Sequence, residues 1–597
     1  MKTDMVATTD EQARRAIYVV DRSGAADKLE ALMLRAPQGR PRRLPLRTWL
    51  IGALLSVEHG LGFSSVGIYR ALTGMSVQMQ WDLKVRTRDR HGQVKVLNKA
   101  QIDYFAKSLQ GYLVCTRAGA DLYDHELTGE QLKARRNDLQ DALDALLDAS
   151  KVKVHRDGWF AADGSSSWSW GRSPRKPQDD VDVRSQEEVD ETDPDERIRD
   201  EDADRSAAEA ADSPTDSDGH YDIEHDGAEP VEDDGDDEPG RARKRPVYDY
   251  DAAFGSKTAH AGGREGYFGY VIDALVRIAP PGQPAAPMVI ERLVISPAST
   301  DVVQPTFRLL DSLATSGTEI TDLVVDRHYS FKKVERWADE LRARNINQHF
   351  DLRKKEQGFS DFNGAKLVAG WAHCPATPAE LGDIPKPGPN ADKAAWKKFN
   401  AKIAERERLA MARDERPNDK GRARFTCPAI DGKVGCPLRP DTMAVAEANG
   451  LPIVTDAPDP DTAPACCTNS SGKVTVNDPQ LRKHDQPFYW GSKQWQAAYD
   501  RRTYVEGVFG SIKSGRTEGV GREFTRHVGL VMVSIGLTVA AVVANIRHQR
   551  KTANERGEDL DHPLLSEDTD YAAVVYLTAD EVAELDRRHH SDETNVA

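Results

Sequence analysis

With 597 residues, 39% apolar and 30% charged, the chain is long enough for about three or four domains and a large core, which excludes a wholly disordered protein. Six cysteines over that length exclude a secreted disulfide scaffold, and the lack of an N-terminal signal pattern leads us to expect a reducing cytoplasm. The net charge of −16 argues against a nucleic-acid partner only until it is mapped: residues 179–240 hold 28 acidic against 4 basic residues, a net of −24, which leaves the rest of the chain at +8.

The first 30 or so residues lack an apolar period and are expected to form a flexible arm. From 44 to 74 apolar residues return at helical spacing behind the basic run GRPRRLPLR, predicting two helices broken at 60–64. Thr128 and Gln131 have the spacing of a capping box for a helix that ends near Ala149. Residues 1–150 therefore read as an arm and a basic helical domain, suited either to duplex DNA or to dimerisation.

The pattern changes at Val152. KVKVHRDGWFAADGSS reads as a strand ending at Asp163, with Gly164 and the serines as its turn. Residues 176–245 contain almost no large apolar side chains and are expected to be a disordered acidic insertion, either simply solvated or imitating DNA phosphates. GREGYFGYVIDALVRIAP and PMVIERLVISPAS give two strands around PPGQP. A helix follows over 306–314, then an apolar strand in ITDLVVDRHYS ending at Asp326, a helix in FKKVERWADELRARN and a strand in INQHFDLR. This β-β-β-α-β-α-β order, over 151–175 and 246–358, predicts an α/β fold: a mixed sheet flanked by helices.

Glu506 follows Asp326 by 180 positions, far more than a strand and a helix require, so 359–485 reads as an inserted subdomain. It contains a basic amphipathic helix around AAWKKFNAKIAERERLAMARDE. Cys427, Cys436, Cys466 and Cys467 offer a four-thiolate zinc site, with Cys374 as a substitute ligand. Their C-x8-C-x29-C-C spacing departs from the usual paired C-x2-C, and unliganded structural thiols are the alternative.

The second part of the core is expected over 486–550, with 551–597 as a tail. LRKHDQPFYWGSKQW interleaves cations, Lys493 among them, with Phe488, Tyr489, Trp490 and Trp495. Such a run can stack on a base displaced from a duplex, or form the edge of an aromatic core. Ser492 can cap the next helix. There Tyr499, Arg502, Glu506 and Lys513 form the pattern Y-x2-R-x3-E-x6-K. At about 100° per residue the last three fall at roughly 300°, 340° and 320° from the first, so all four share one stripe. A carboxylate among two cations and a phenol can hold a divalent metal and phosphate oxygens, or can be a solvated face with weak ion pairs. The apolar run 528–546 has the length of a membrane span, but Ser534, Thr538 and Asn545 within it favour a buried helix beneath the Glu506 helix.

The stretch GSKQWQAAYDRRTYVEGVFGSIK resembles the signature of DDE transposases of bacterial insertion sequences, whose catalytic domains are ribonuclease-H-like. The resemblance covers roughly 152–547, apart from the acidic insertion. It implies that Asp163 in FAADGSSS, Asp326 in VVDRHYS and Glu506 are the catalytic triad, binding two Mg²⁺ or Mn²⁺ ions. It assigns Arg502 and Lys513 to phosphates of the transposon end and Tyr499 to the scissile nucleotide; from the cation–aromatic run before them, Trp490 and Lys493 are expected as further DNA contacts. Asp157 and Asp322 lie at the starts of their strands, away from the end where the motif places a ligand. The implied reaction is attack by water at a transposon end, freeing a 3′-OH that then attacks target DNA. The implied partners are the inverted-repeat ends, target DNA and a second copy of the chain, with the protein in the cytoplasm on nucleoid DNA and no membrane involved. One departure stands out: the family usually has a small residue, commonly Gly, where this chain has His328 in DRHY. Two other readings remain: a metal-dependent DNA nuclease without strand transfer, and an inactive DNA-binding regulator.

Overall fold

The computed structural model describes residues 6–34, 43–153, 156–173, 248–258, 264–353, 356–388, 390–514, 517–558, 561–566 and 578–595. The acidic insertion expected over 176–245 lies outside the described residues.

The N-terminal stretch expected to be a flexible arm is helical, over Asp10–Ser23 and Ala25–Leu32. Thr9 and Gln12 form a reciprocal capping box, and Ala13, Ala16, Val19, Val20 and Leu29 are buried. The apolar face was hard to see because alanines supply much of it. Arg15, only 1% exposed, sits on the same helix and reaches Glu58 at 2.7 Å. Leu46–Glu58 and Ser65–Thr73 flank the expected break, and the Thr128–Gln131 capping box starts the helix Gly129–Ala149. Part of the expected tail is ordered too. Helix Ala579–Asn595 returns to this domain, where Asp586 accepts from Trp81 Nε1 at 2.9 Å and pairs with Arg86 at 2.9 Å.

The central sheet has six strands: β1 (Trp159–Trp168), β2 (Ala253–Thr258), β3 (Arg264–Arg277), β4 (Ile290–Pro297), β5 (Asp322–Val325) and β6 (Asn347–His349). β3 pairs antiparallel with β1, with β2 along its N-terminal part and with β4 along its C-terminal part. β1 pairs parallel with β5, and β5 parallel with β6, so the order is β4-β3-β1-β5-β6. The sheet is thus mixed and flanked by helices. β1 does not end at Asp163. Every residue from Phe160 to Trp168 finds a partner on β3, from Arg277 to Gly269, so the long neighbour holds the serines in a strand where their composition suggests a turn. β2 was not expected, and the helix expected in FKKVERWADELRARN shortens to Ala338–Ala343 behind a 3₁₀ turn at Arg327–Phe331.

Leu530–Arg556 is apolar and long enough to cross a membrane, yet 89% of its most apolar window is buried against Leu46–Glu58, Gly129–Ala149 and β4. Asn545 explains its polar content. Its side chain accepts from Ile290 N at 2.7 Å and donates to Ile290 O and Ser150 Oγ at 2.9 and 3.0 Å, tying three elements together. At Gly536 a Cβ would lie 2.6 Å from the Phe63 ring, so glycine is what lets this helix seat.

The insertion carries two three-stranded sheets, Ser360–Phe362/Ala365–Val368/Trp371–His373 and Ala412–Arg413/Arg422–Thr426/Lys473–Asn477, and the helix Lys393–Arg408. Two small apolar clusters of its own lie around the second sheet and the cysteines, while Phe399 and Ile403 of the helix and Val368 of the first sheet join the one continuous core that links the N-terminal helices, the central sheet and the Glu506 helix.

Candidate active site

Strand register brings the two aspartates together. The last β1–β5 pair is Ala162 with Val325, so Asp163 and Asp326 are the next residues on adjacent parallel strands, about 4.8 Å apart in the pairing direction. β5 stops there, and Asp326 turns to cap the following 3₁₀ helix, its Oδ1 accepting from Arg327 N at 2.6 Å. Asp163 shares a face of β1 with Ser165. Helix Thr503–Ser514 is anchored on that face by Lys513 Nζ, which donates to Ser165 Oγ at 2.7 Å and Ser166 O at 2.6 Å.

The expected stripe is not one continuous helix. Tyr499 closes the helix Lys493–Tyr499, Arg502 lies in a 3₁₀ turn, and Glu506 begins the next helix. The residues nevertheless meet. Arg502 Nη1 lies 2.6 Å from Glu506 Oε1 and 4.0 Å from Asp326 Oδ1, with its guanidinium 5.7 Å from the Tyr499 ring. Asp326 and Glu506 are 43% and 46% exposed, so the cluster opens to solvent on a side a substrate can reach.

Asp163 lies deeper. Burial, then the charges of Asp326 and Glu506, push its carboxyl up to about 7 against the pull of the Gly164 amide and Arg502. Among the described residues no three His, Cys, Asp or Glu side chains converge as they stand on a point that would hold an ion. Here the cation spanning Glu506 and Asp326 is Arg502. The donors are all carboxylates, which suit Mg²⁺ or Mn²⁺.

Tyr499 is a buried platform, stacked on Trp495 at 4.9 Å with planes 9° apart and with Lys386 Nζ 4.8 Å from its ring. Burial raises its hydroxyl above the ordinary range, so it is a neutral donor. Lys513 is pushed down to about 8 by burial and by Lys257 on β2, giving this end of the site two cations.

Trp490 does not fit its expected DNA contact. It is 1% exposed, packs edge-on to Phe399 and donates from Nε1 to Asp351 at 3.0 Å. Tyr489 beside it lies between His373 and Arg406, each at 2.7 Å. The aromatic run is core because its rings pack on the insertion helix and on one another. Lys493 is exposed at the start of a helix capped by Ser492 Oγ, which accepts from Trp495 N at 3.1 Å.

Asp322 is buried and bonded to His349 at 2.8 Å, a structural role at the opposite end of β5. His328 fits without strain: its backbone is outside the left-handed region, so its turn has no need of glycine, and its ring lies edge-on to Phe331 at 5.7 Å. Sequence reasoning passed over Asp273 on β3. It lies opposite Gly164, is 2% exposed, and one of its oxygens has no partner among the described residues. Burial and then Asp163 raise it to about 8. An Asp inside the apolar run VIDALV was the available signal.

Away from this cluster, Arg43, Arg88, Arg90, Lys95 and Tyr104 line an open groove of about 1350 Å³ in the N-terminal domain. Cys374, Cys427, Cys436, Cys466 and Cys467 are buried, unbridged and gathered around one cavity in the insertion. No family model, no curated protein and no solved structure matches this chain.

Proposed function

We propose that the chain is a DDE-type DNA transposase with a ribonuclease-H-like catalytic core, working in the cytoplasm on DNA as at least a dimer. The sheet order β4-β3-β1-β5-β6, with β3 antiparallel to both neighbours and β5 and β6 parallel to β1, supports that fold because it is the order of ribonuclease-H-like domains. The observation that carries the reading is that Glu506, 180 positions after Asp326, comes back to the two aspartates through Arg502.

Asp163 and Asp326 are fixed by backbone register, and Glu506 is presented by a helix bolted to β1 through Lys513. Two Mg²⁺ or Mn²⁺ ions bound by these carboxylates would activate the attacking oxygen and stabilise the leaving one in an in-line displacement. Arg502, drawn off Glu506, is then within reach of a phosphate near Asp326, and its planar fork suits that contact. Lys513 and Lys257 offer positive charge along the far end of β1. The basic groove of the N-terminal domain is placed to grip duplex phosphates.

The test uses labelled DNA carrying the repeats that flank the gene, a target plasmid and Mg²⁺ or Mn²⁺. Cleavage at the ends with a joined product is expected. Cleavage without joining would replace this reading with a nuclease, and binding without cleavage in either metal would replace it with a DNA-binding regulator.

A further inference from the structure

The cysteine cavity lies where the strands Trp371–His373 and Arg422–Thr426 and the short helix Ala465–Thr468 end. Its sulfur-bearing residues come from three separate stretches of chain and are 1% to 7% exposed. Three are followed by proline: Cys374-Pro375, Cys427-Pro428 and Cys436-Pro437. Proline has no amide to give, so the next one along turns back to the sulfur, and Ala376 N and Leu438 N donate to Cys374 and Cys436. Burial pushes both thiols up, and these amides pull the other way, the kind of contact a metal-bound thiolate accepts.

The surroundings need a staple. Cys427 and Cys436 sit in a small cluster with Ala429, Val434 and Val454, and Cys466 and Cys467 in a neighbouring one with Met411, Phe425 and Val476, so two separate apolar clusters meet at the cavity. Arg439 lines the cavity, donating from Nη2 to the carbonyls of Cys466 and Asn469 at 3.2 and 2.6 Å, and its Nε has no partner among the described residues. It is a cation beside a place where negative charge would collect.

We propose that this cavity is a structural zinc site in which Cys374, Cys427, Cys436 and one sulfur of the Cys466–Cys467 pair hold a single Zn²⁺. The proposal is independent of the transposase reading. Cys466 and Cys467 are successive residues of a helix with their thiols hydrogen-bonded to each other on the same cavity, and with Cys374, Cys427 and Cys436 also lining it one of the pair completes a set of four. The cavity, about 10 Å³, admits one ion and not an iron–sulfur cluster. Four protein ligands leave no open position, which makes the site structural and not catalytic. On binding, four thiols release their protons to solvent, the sulfurs draw inward, and Arg439 with the two amides offsets the net charge of the tetrathiolate.

The site also reaches towards the acidic cluster. Cys374 follows His373, which bonds Tyr489 at 2.7 Å, and from Tyr489 the aromatic core runs through Trp490 and Trp495 to the Tyr499 platform under Arg502.

Zinc in the full-length protein, purified without chelator, is measured by elemental mass spectrometry. About one ion per chain is expected in the wild type and in Cys115→Ser, whose cysteine lies in the N-terminal domain, against about a tenth or less in Cys374→Ser and Cys436→Ser. One of Cys466→Ser and Cys467→Ser should keep its zinc and the other lose it. Because a variant can fail to fold, the wild type is also loaded with Co²⁺, where intense visible absorption of a tetrahedral thiolate site is expected. A wild type containing no zinc or containing iron, a featureless cobalt spectrum, full zinc in Cys374→Ser, or zinc lost from both Cys466→Ser and Cys467→Ser overturns the assignment.

Discussion

The carboxylate cluster and the cysteine cavity each gather acidic side chains from distant stretches of chain, but they are held in opposite ways. Asp163 and Asp326 are set by main-chain register in a sheet that needs no ion to form, and Arg502 spans Glu506 and Asp326 at a half-exposed edge. The cysteines sit on loops and a one-turn helix around a small cavity, divided between two apolar clusters. A site on rigid strands can hold like charges together at a cost that the rest of the core covers, which leaves it free for exchangeable hard ions and substrate. A site on loops has no such support and depends on its ligand to be ordered.

The largest expected effect separates the two directly. Asp326→Asn, or Glu506→Gln, should reduce DNA cleavage in Mg²⁺ by on the order of 10³-fold or more, about 4 kcal/mol of barrier, without lowering Tm, because each removes a like charge from the cluster. Cys436→Ser should instead lower Tm and cleavage together. A cleavage-dead Asp326→Asn that is also unfolded would break the contrast.

Trp490→Ala should cost about 3–5 kcal/mol in denaturant unfolding, since a fully enclosed indole bonded to Asp351 is replaced by a void. A base-stacking Trp490 would instead leave stability unmoved and weaken only DNA binding. The outcome sharpens the comparison, for it measures how far the insertion's aromatic wall supports the Glu506 helix.

Much of the acidic site was legible in sequence because it rests on short-range rules. Apolar runs ending in Asp326 and the i,i+4 spacing of Arg502 and Glu506 survive in the fold almost as written. What was hidden depended on partners far along the chain. Gly164 and the serines look like a turn until β3 supplies a hydrogen-bonding neighbour for each. Residues 10–32 look irregular because alanine carries much of the buried face. Trp490 mixed with cations reads equally as a DNA contact or as core, and only packing against Phe399 and Asp351 decides it. Cys374 could not be ranked above its vicinal rivals without the cavity.

Smaller effects are expected from the cations. Arg502→Ala and Lys513→Ala should each weaken binding to end-carrying DNA by about tenfold and reduce the salt dependence by about one ion, measured by titration at several salt concentrations. Arg502→Lys should recover little, because a point charge cannot span two oxygens as the guanidinium does. Lys493→Ala, on an exposed surface, should change binding less than either.

The smallest effect concerns pH, and part of it should arise outside both clusters. His527, against Phe63, is pushed down to about 4 by burial, with Asp103 opposing. His548, whose Nε2 lies 2.9 Å from Ser511 on the Glu506 helix, is pushed down to about 4 by burial, Arg547 and Lys551, with its bond to the Met288 backbone opposing. Both sit below the ordinary 6.5 in the folded chain, so the unfolded chain binds protons more readily. Their contribution to stability is complete above about pH 6.5 and is lost as pH falls towards 4. Asp163 and Asp273, raised to about 7 and 8, act with the opposite sign over the same window, so the check is a difference: His527→Phe with His548→Gln should gain Tm relative to the wild type as pH falls from 6.5 towards 4. A Tm difference between the two proteins that does not change with pH would mean that the two histidines are not proton-linked to folding, and the pH dependence would then belong to the raised carboxyls of Asp163 and Asp273.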